Sequence, residues 1–152
     1  IYLAHLRFDK SVKRVVKVSR RDEKSTKRFF NELSLLKGLQ HPNVMTFEKA
    51  GSFSDHHAVI MPYCNGGALY NLIGKITIGE IEDYFLQMCG GLKYLHSRGI
   101  VHRYIKLDNI LVNGSQIVIT DFDMSSGIIP GTSLVQHKMG TEPYMAPEMI
   151  AN

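Results

Sequence analysis

Residues 99–125 read GIVHRYIKLDNILVNGSQIVITDFDMS, and this stretch decides how the rest of the chain is read. Two short apolar runs, NILV and QIVIT, are separated by Asn-Gly-Ser and predict a hairpin. Polar groups gather around them: His102 and Arg103, then Lys106, then Asn109, and Asp121 just past the second run. A carboxylate at a rigid strand end and a nearby amide oxygen are hard ligands that suit magnesium.

Upstream, GEIEDYFLQMCGGLKYLHSRG predicts the longest helix, with Ile81, Tyr84, Phe85, Met88, Leu92 and Leu95 on one face. Gly90 and Gly91 weaken it by ~1 kcal/mol each relative to alanine, and Gly99 is placed to terminate it. HHAVIMPYC reads as a buried strand ending at Pro62, followed by the connector Asn65-Gly66-Gly67. Nearer the start, Ser11–Val18 (SVKRVVKV) alternates and is rich in valine, which predicts a strand. The segment RRDEKSTKRFFNELSLLKGLQHPNV predicts a helix capped by Ser25 or Thr26. Its apolar face is Phe29, Leu33 and Leu36, widened by Phe30, and Pro42 prevents its continuation. Ile1, Tyr2 and Leu3 read as part of a strand. The first part is thus strand-rich and the second helix-rich, with a hinge near residues 62–67.

The 152 residues, 44% hydrophobic and 21% charged, fit one compact unit. No apolar run approaches the roughly 18 residues of a membrane span, and the first residues lack a signal-peptide plan. Cys64 and Cys89 form neither a close pair nor a zinc spacing, which favours a reducing, intracellular setting. The net charge of +4 is uneven: residues 1–41 hold 11 Lys/Arg against 4 Asp/Glu, the remainder 7 against 10. Such an excess would suit a basic nucleic-acid-binding module. However, alternating lysine and valine is also what a half-buried strand needs, and interleaved aromatics are missing.

Taken together, these motifs resemble the eukaryotic protein kinase family, Ser/Thr branch. RVVKV resembles the strand bearing the VAIK lysine, HRYIKLDN the HRDxKxxN catalytic loop, DFD the DFG motif, and GTEPYMAPE the end of the activation segment. The resemblance implies an α+β, two-lobed fold, with a small antiparallel-sheet lobe carrying one long helix and a mainly helical lobe. The lobes would be residues 1–61 and 68–152, joined by a hinge at 62–67. It implies ATP and Mg2+ as cofactors, with a protein substrate or scaffold partner. Lys17 would contact the α- and β-phosphates and Glu32 would orient it. Met61 would be the gatekeeper, the backbone from Pro62 to Cys64 would face the adenine, and Leu111 would contact the nucleotide. Asn109 and Asp121 would hold magnesium, and Lys106 would contact the transferring phosphate. Leu36, Phe47, His102 and Phe122 match an apolar column that links the lobes.

Three departures accompany the match. Tyr104 stands at the position of the catalytic aspartate. A phenol, with an ordinary pKa of about 10, is a poor base at neutral pH, and its bulk would crowd an incoming hydroxyl. Asp108 is nearby, but its position in the motif normally points away. Asp123 stands where the family has glycine, which places a side chain where backbone freedom is usual and adds a negative charge near Asp121. Finally, no G-x-G-x-x-G precedes Lys17 and no helices follow Ala146-Pro147-Glu148, so the unit is expected to be truncated at both ends, with apolar surface uncovered on the helical part. The activation segment carries Ser125, Ser126, Thr132, Ser133 and Thr141, with His137 at the usual phosphosite position, so that Thr132 or Ser133 is only a weak candidate.

Three readings of function follow. The first is a nucleotide-binding, catalytically impaired kinase domain. The second is an active Ser/Thr protein kinase that transfers the γ-phosphate to protein hydroxyls. The third is the nucleic-acid-binding module.

Overall fold

The computed structural model describes residues 1–128 and 141–150, the side chains of 148 and 149 apart. Thr132, Ser133 and His137 lie outside the described residues. The chain opens with strands β1 (Tyr2–His5) and β2 (Lys13–Arg20), then helix α1 (Glu23–Leu36), then strands β3 (Lys49–Phe53) and β4 (His56–Pro62). These strands form one antiparallel sheet in the order β1-β2-β4-β3. Along β4, residues alternate between buried and half-buried, the period of a strand with one face on a core.

The second part begins with β5 (Gly67–Ala68) and helix α2 (Ile78–Ser97). Strands β6 (Ile100–Val101), β7 (Ile110–Asn113), β8 (Gln116–Ile119) and β9 (Ser126–Gly127) follow, and then the short helix α3 (Pro147–Ile150). The β7–β8 hairpin turns through Gly114 and Ser115, with Asn113 opposite Gln116 and Gly114 at φ 62°. β5 adds to this hairpin, and β6 pairs with β9. The architecture is α+β, as expected. No described helix is long and apolar enough to cross a membrane.

Several local expectations are corrected. Helix α1 is capped by Asp22 rather than by Ser25 or Thr26, since the Asp22 carboxylate accepts from the Ser25 amide (2.9 Å) and hydroxyl (2.7 Å). The carboxylate also carries negative charge to the positive helix end. Phe30 is 57% exposed; Phe29 is the buried member of the pair and stacks on His57 at 4.3 Å. Thr77 starts α2 with a reciprocal capping box to Glu80. On α2, Tyr84 and Leu95 are buried, whereas Ile81 and Phe85 are more than half exposed and line an apolar groove with Leu69, Ile73 and Met88. Gly99, at φ 69°, lies just beyond the helix, as predicted.

Two apolar clusters hold the chain together. The smaller comprises Phe29, Met45, Val59, Met61 and Cys64; the larger is built on Leu36, Leu95, Ile110, Ile117, Ile119 and Phe122. Phe47 packs against both. Each buried side chain of this size contributes about 1.5–3 kcal/mol. The segment between α1 and β3 is tied to the hairpin by Met45 N donating to Ile119 O (2.8 Å) and Ile119 N donating to Asn43 O (2.9 Å). Gly91 lets α2 approach this junction. A Cβ there would lie 2.8 Å from Ile119 Cδ1 and 3.1 Å from Asn43 O.

Candidate active site

A cleft of ≈ 470 Å³ lies between the four-stranded sheet and the β7–β8 hairpin. Lys17 and Val15 reach it from β2, Glu32 from α1, and Met61 from β4. Pro62, Tyr63 and Cys64 follow along its wall, and Asn109, Leu111, Thr120 and Asp121 line the opposite side. Seven residues singled out from sequence therefore converge: Lys17, Glu32, Met61, Cys64, Asn109, Leu111 and Asp121. Tyr104 and Lys106 lie outside the lining, whereas Asp108, expected to point away, belongs to it.

Lys17 is the centre of charge. Its Nζ lies 3.2 Å from Glu32 Oε2, 3.5 Å from Asp121 Oδ1 and 2.6 Å from Asp123 Oδ1. Burial works to lower the Lys17 pKa, but the charges of Glu32, Asp123 and Asp121 outweigh it and raise the value above that of an ordinary lysine. Burial pushes Glu32 up to about 7 against the pull of Lys17, with Asp123 adding to the rise. Asp123 ends below the usual carboxylate range, because the hydrogen bond and charge of Lys17 overcome its own burial. The sequence did not reveal the Lys17–Asp123 contact, which joins residues 106 positions apart.

The backbone around Asp121 is set by sterics. Asp121 has φ 66° and Arg103 φ 62°; with Ser54 these are the only non-glycine residues of positive φ among those described. The left-handed conformation falls on Asp121, a residue type that tolerates it, and not on Asp123. Arg103 Nε donates to Met124 O (2.7 Å), and buried Ser125 donates to His102 O (3.1 Å). Asn31, next to Glu32 on α1, donates to Ser125 O (3.1 Å) and so ties the helix to the same segment.

His102 positions the loop before Asn109. Thr120 O can only accept, so the 3.0 Å contact puts the ring proton on Nε2. Nδ1 accepts from the Tyr104 amide at 3.2 Å. Burial lowers the pKa of this neutral ring, and its edge meets Phe122 at 4.8 Å. Asn109 Nδ2 donates to Tyr104 O (2.9 Å), which commits the amide nitrogen and leaves Oδ1 as the atom available to a cation. The Asn109 amide and the Asp121 carboxylate fit a magnesium ion that carries phosphate oxygens with it. Among the described residues, no group of three or more His, Cys, Asp or Glu is placed to hold a metal alone.

Tyr104 keeps different company. The Lys106 ammonium lies 4.7 Å from the centre of its ring, and a hydrogen bond to the Tyr104 side chain raises the Lys106 pKa. At the other end of the cleft, burial pushes the Cys64 thiol up, so it remains protonated and apolar in character. Several charges of the basic first part are already paired: Arg14 with Glu48 at 2.7 Å, Lys27 with Glu23 at 2.7 Å, and Lys17 within the cleft.

A sheet lysine held by a helix glutamate thus faces an asparagine and an aspartate across one cleft. The chain belongs to the protein kinase domain family, whose model matches residues 6–152, and it is of the Ser/Thr type. It is 36% identical over 99% of its length to the serine/threonine-protein kinase CST20 of Candida albicans, covering 13% of that protein. It is 36% identical to the serine/threonine-protein kinase shk2 of Schizosaccharomyces pombe, over 79% of this chain and 21% of that one. The match to the serine/threonine-protein kinase SRK2I of Arabidopsis thaliana is 34% over 97% of this chain and 43% of the plant protein. The chain thus spans less than half the length of each of these relatives.

Proposed function

We propose that this domain binds ATP with Mg2+ in the cleft and is impaired in phosphoryl transfer, acting inside the cell as a pseudokinase-like switch or scaffold for a protein partner. Residues 1–61 and 68–152 serve as its two lobes and 62–67 as the hinge. One observation supports this reading above others. Lys17, Glu32, Asn109 and Asp121 share one cleft, while the family's base position is a tyrosine that does not line it. Transfer in this family depends on positioning and charge neutralisation. Lys17 supplies the positive charge for phosphate and Glu32 holds it in place. Asp121 and Asn109 hold the cation, which neutralises charge on the phosphates. Met61, Cys64 and Leu111 form the apolar bed for the adenine. What is missing is a group to take the proton of the attacking hydroxyl.

The test is titration calorimetry with ATP, with and without magnesium, on the wild type and on Asp121→Ala. Magnesium tightens binding to the wild type, and the substitution removes that gain. Equal affinities with and without magnesium in the wild type would refute the roles given to Asp121 and Asn109.

A second reading, an active Ser/Thr kinase, draws on Asp108, whose exposed carboxylate does line the cleft. It requires measurable peptide phosphorylation by the wild type that is lost in Asp108→Asn.

A further inference from the structure

We infer that Asp123 is a built-in competitor for Lys17, occupying the ammonium that the phosphate of a bound nucleotide needs and so weakening the domain's hold on phosphate. The inference rests on the nucleotide reading above, and extends it to how the site is regulated. Its basis is geometric. Of the three carboxylates around Lys17 Nζ, Asp123 makes the shortest contact, at 2.6 Å, against 3.2 Å for Glu32 and 3.5 Å for Asp121. Asp123 lines the cleft itself, and with Lys17, Glu32 and Arg28 it also lines a smaller pocket of ≈ 100 Å³ between α1 and β2. Its side chain therefore borders both spaces. The carboxylate offers the lysine the same chemistry as a phosphate: an anionic oxygen at charge-assisted hydrogen-bond distance.

The pair is also exchangeable on physical grounds. Lys17 and Asp123 are each partly exposed, with side-chain exposures of 24% and 33%. An ion pair this open to water is worth little net free energy, so an incoming phosphate with its own contacts can displace it. Glu32 is far more buried, at 8%, and remains as the lysine's permanent partner during the exchange. A ligand whose competent state is a minor fraction of the population binds more weakly by that fraction. The occupied lysine imposes this kind of penalty on phosphate-bearing ligands and none on adenosine.

The experiment measures affinities for ADP and adenosine in the presence of EDTA, on the wild type, Asp123→Asn, Lys17→Met and the double variant. Asp123→Asn keeps the size of the side chain and removes its charge; Asp123→Ser is a second neutral variant, and both are checked for a wild-type circular dichroism spectrum. The expected result is an ADP affinity higher by about two- to sixfold in both Asp123 variants, as for a modest, partly exposed ion pair that competes for the lysine. Adenosine affinity stays the same, and the ADP gain disappears when Lys17 is methionine. An unchanged or weaker ADP affinity would overturn the inference while leaving the nucleotide reading intact. So would a gain that persists without Lys17, since it would then come from the general field of the carboxylate. Failure of every variant to bind ADP, ATP or adenosine, with or without magnesium, would overturn the nucleotide reading and this inference with it.

Discussion

The ammonium of Lys106 sits 4.7 Å from the centre of the Tyr104 ring, so the residues at two positions that the sequence resemblance assigns to the phosphate and the hydroxyl are engaged with each other. The face of an aromatic ring attracts a cation through its quadrupole. Tyr104 therefore does more than remove a carboxylate: it gives Lys106 a partner away from the cleft.

From this contact follows a prediction for catalysis. Phosphorylation of Ser/Thr peptides by the wild type is lower by at least ~10²-fold than by Tyr104→Asp, the low end of the effect of a general base. Asp123→Gly alone restores little, because it supplies no base. A radiolabelled transfer assay on the four combinations of these two changes decides the matter. Equal rates for the wild type and Tyr104→Asp would show that Tyr104 is not the lesion.

Glu32 gives the folded state a pH signature. Its pKa rises from an ordinary 4.5 to about 7 on folding, so the folded state binds the proton more tightly than the unfolded chain does. The stability this contributes is present in full below pH 4.5 and is lost as the pH rises towards and through about 7. His102, whose pKa is lowered, works in the opposite direction over part of that window, so the informative quantity is a difference. The melting temperature of the wild type minus that of Glu32→Gln is expected to fall as pH increases from 4.5 to 7. A flat or rising difference in thermal melts would contradict the assignment.

Gly90 and Gly91 are adjacent in sequence and opposite in consequence. A Cβ at Gly90 meets nothing nearer than His41 Cε1 at 4.0 Å, so Gly90→Ala should stabilise α2 by ~1 kcal/mol. A Cβ at Gly91 runs into Ile119 and the Asn43 carbonyl, so Gly91→Ala should destabilise by about 1–3 kcal/mol despite the better helix propensity. Urea unfolding of the two variants checks the sign of each; two changes of the same sign would contradict the packing at this junction.

Much of this molecule is legible in its sequence because local patterns carry it. The β7–β8 hairpin follows from Asn-Gly-Ser between two apolar runs, β4 ends at Pro62 as its composition predicts, and the end of α2 follows from Gly99. Seven of the residues that line the cleft stand in a motif order that marks them in the sequence, whereas Val15, Met45 and Thr120 carry no such mark. Strand β3 escapes because all five of its residues are exposed and it holds Gly51 and Ser52, so neither alternation nor propensity marks it. It exists because its backbone completes the ladder on β4. The difference between Gly90 and Gly91 also lies in what packs against α2 from elsewhere in the chain. Above all, the sequence shows Asp123 only as a substitution for glycine. That its carboxylate closes on Lys17 was decided by tertiary structure, which brings together residues 106 positions apart; no local rule of propensity or spacing acts across that separation.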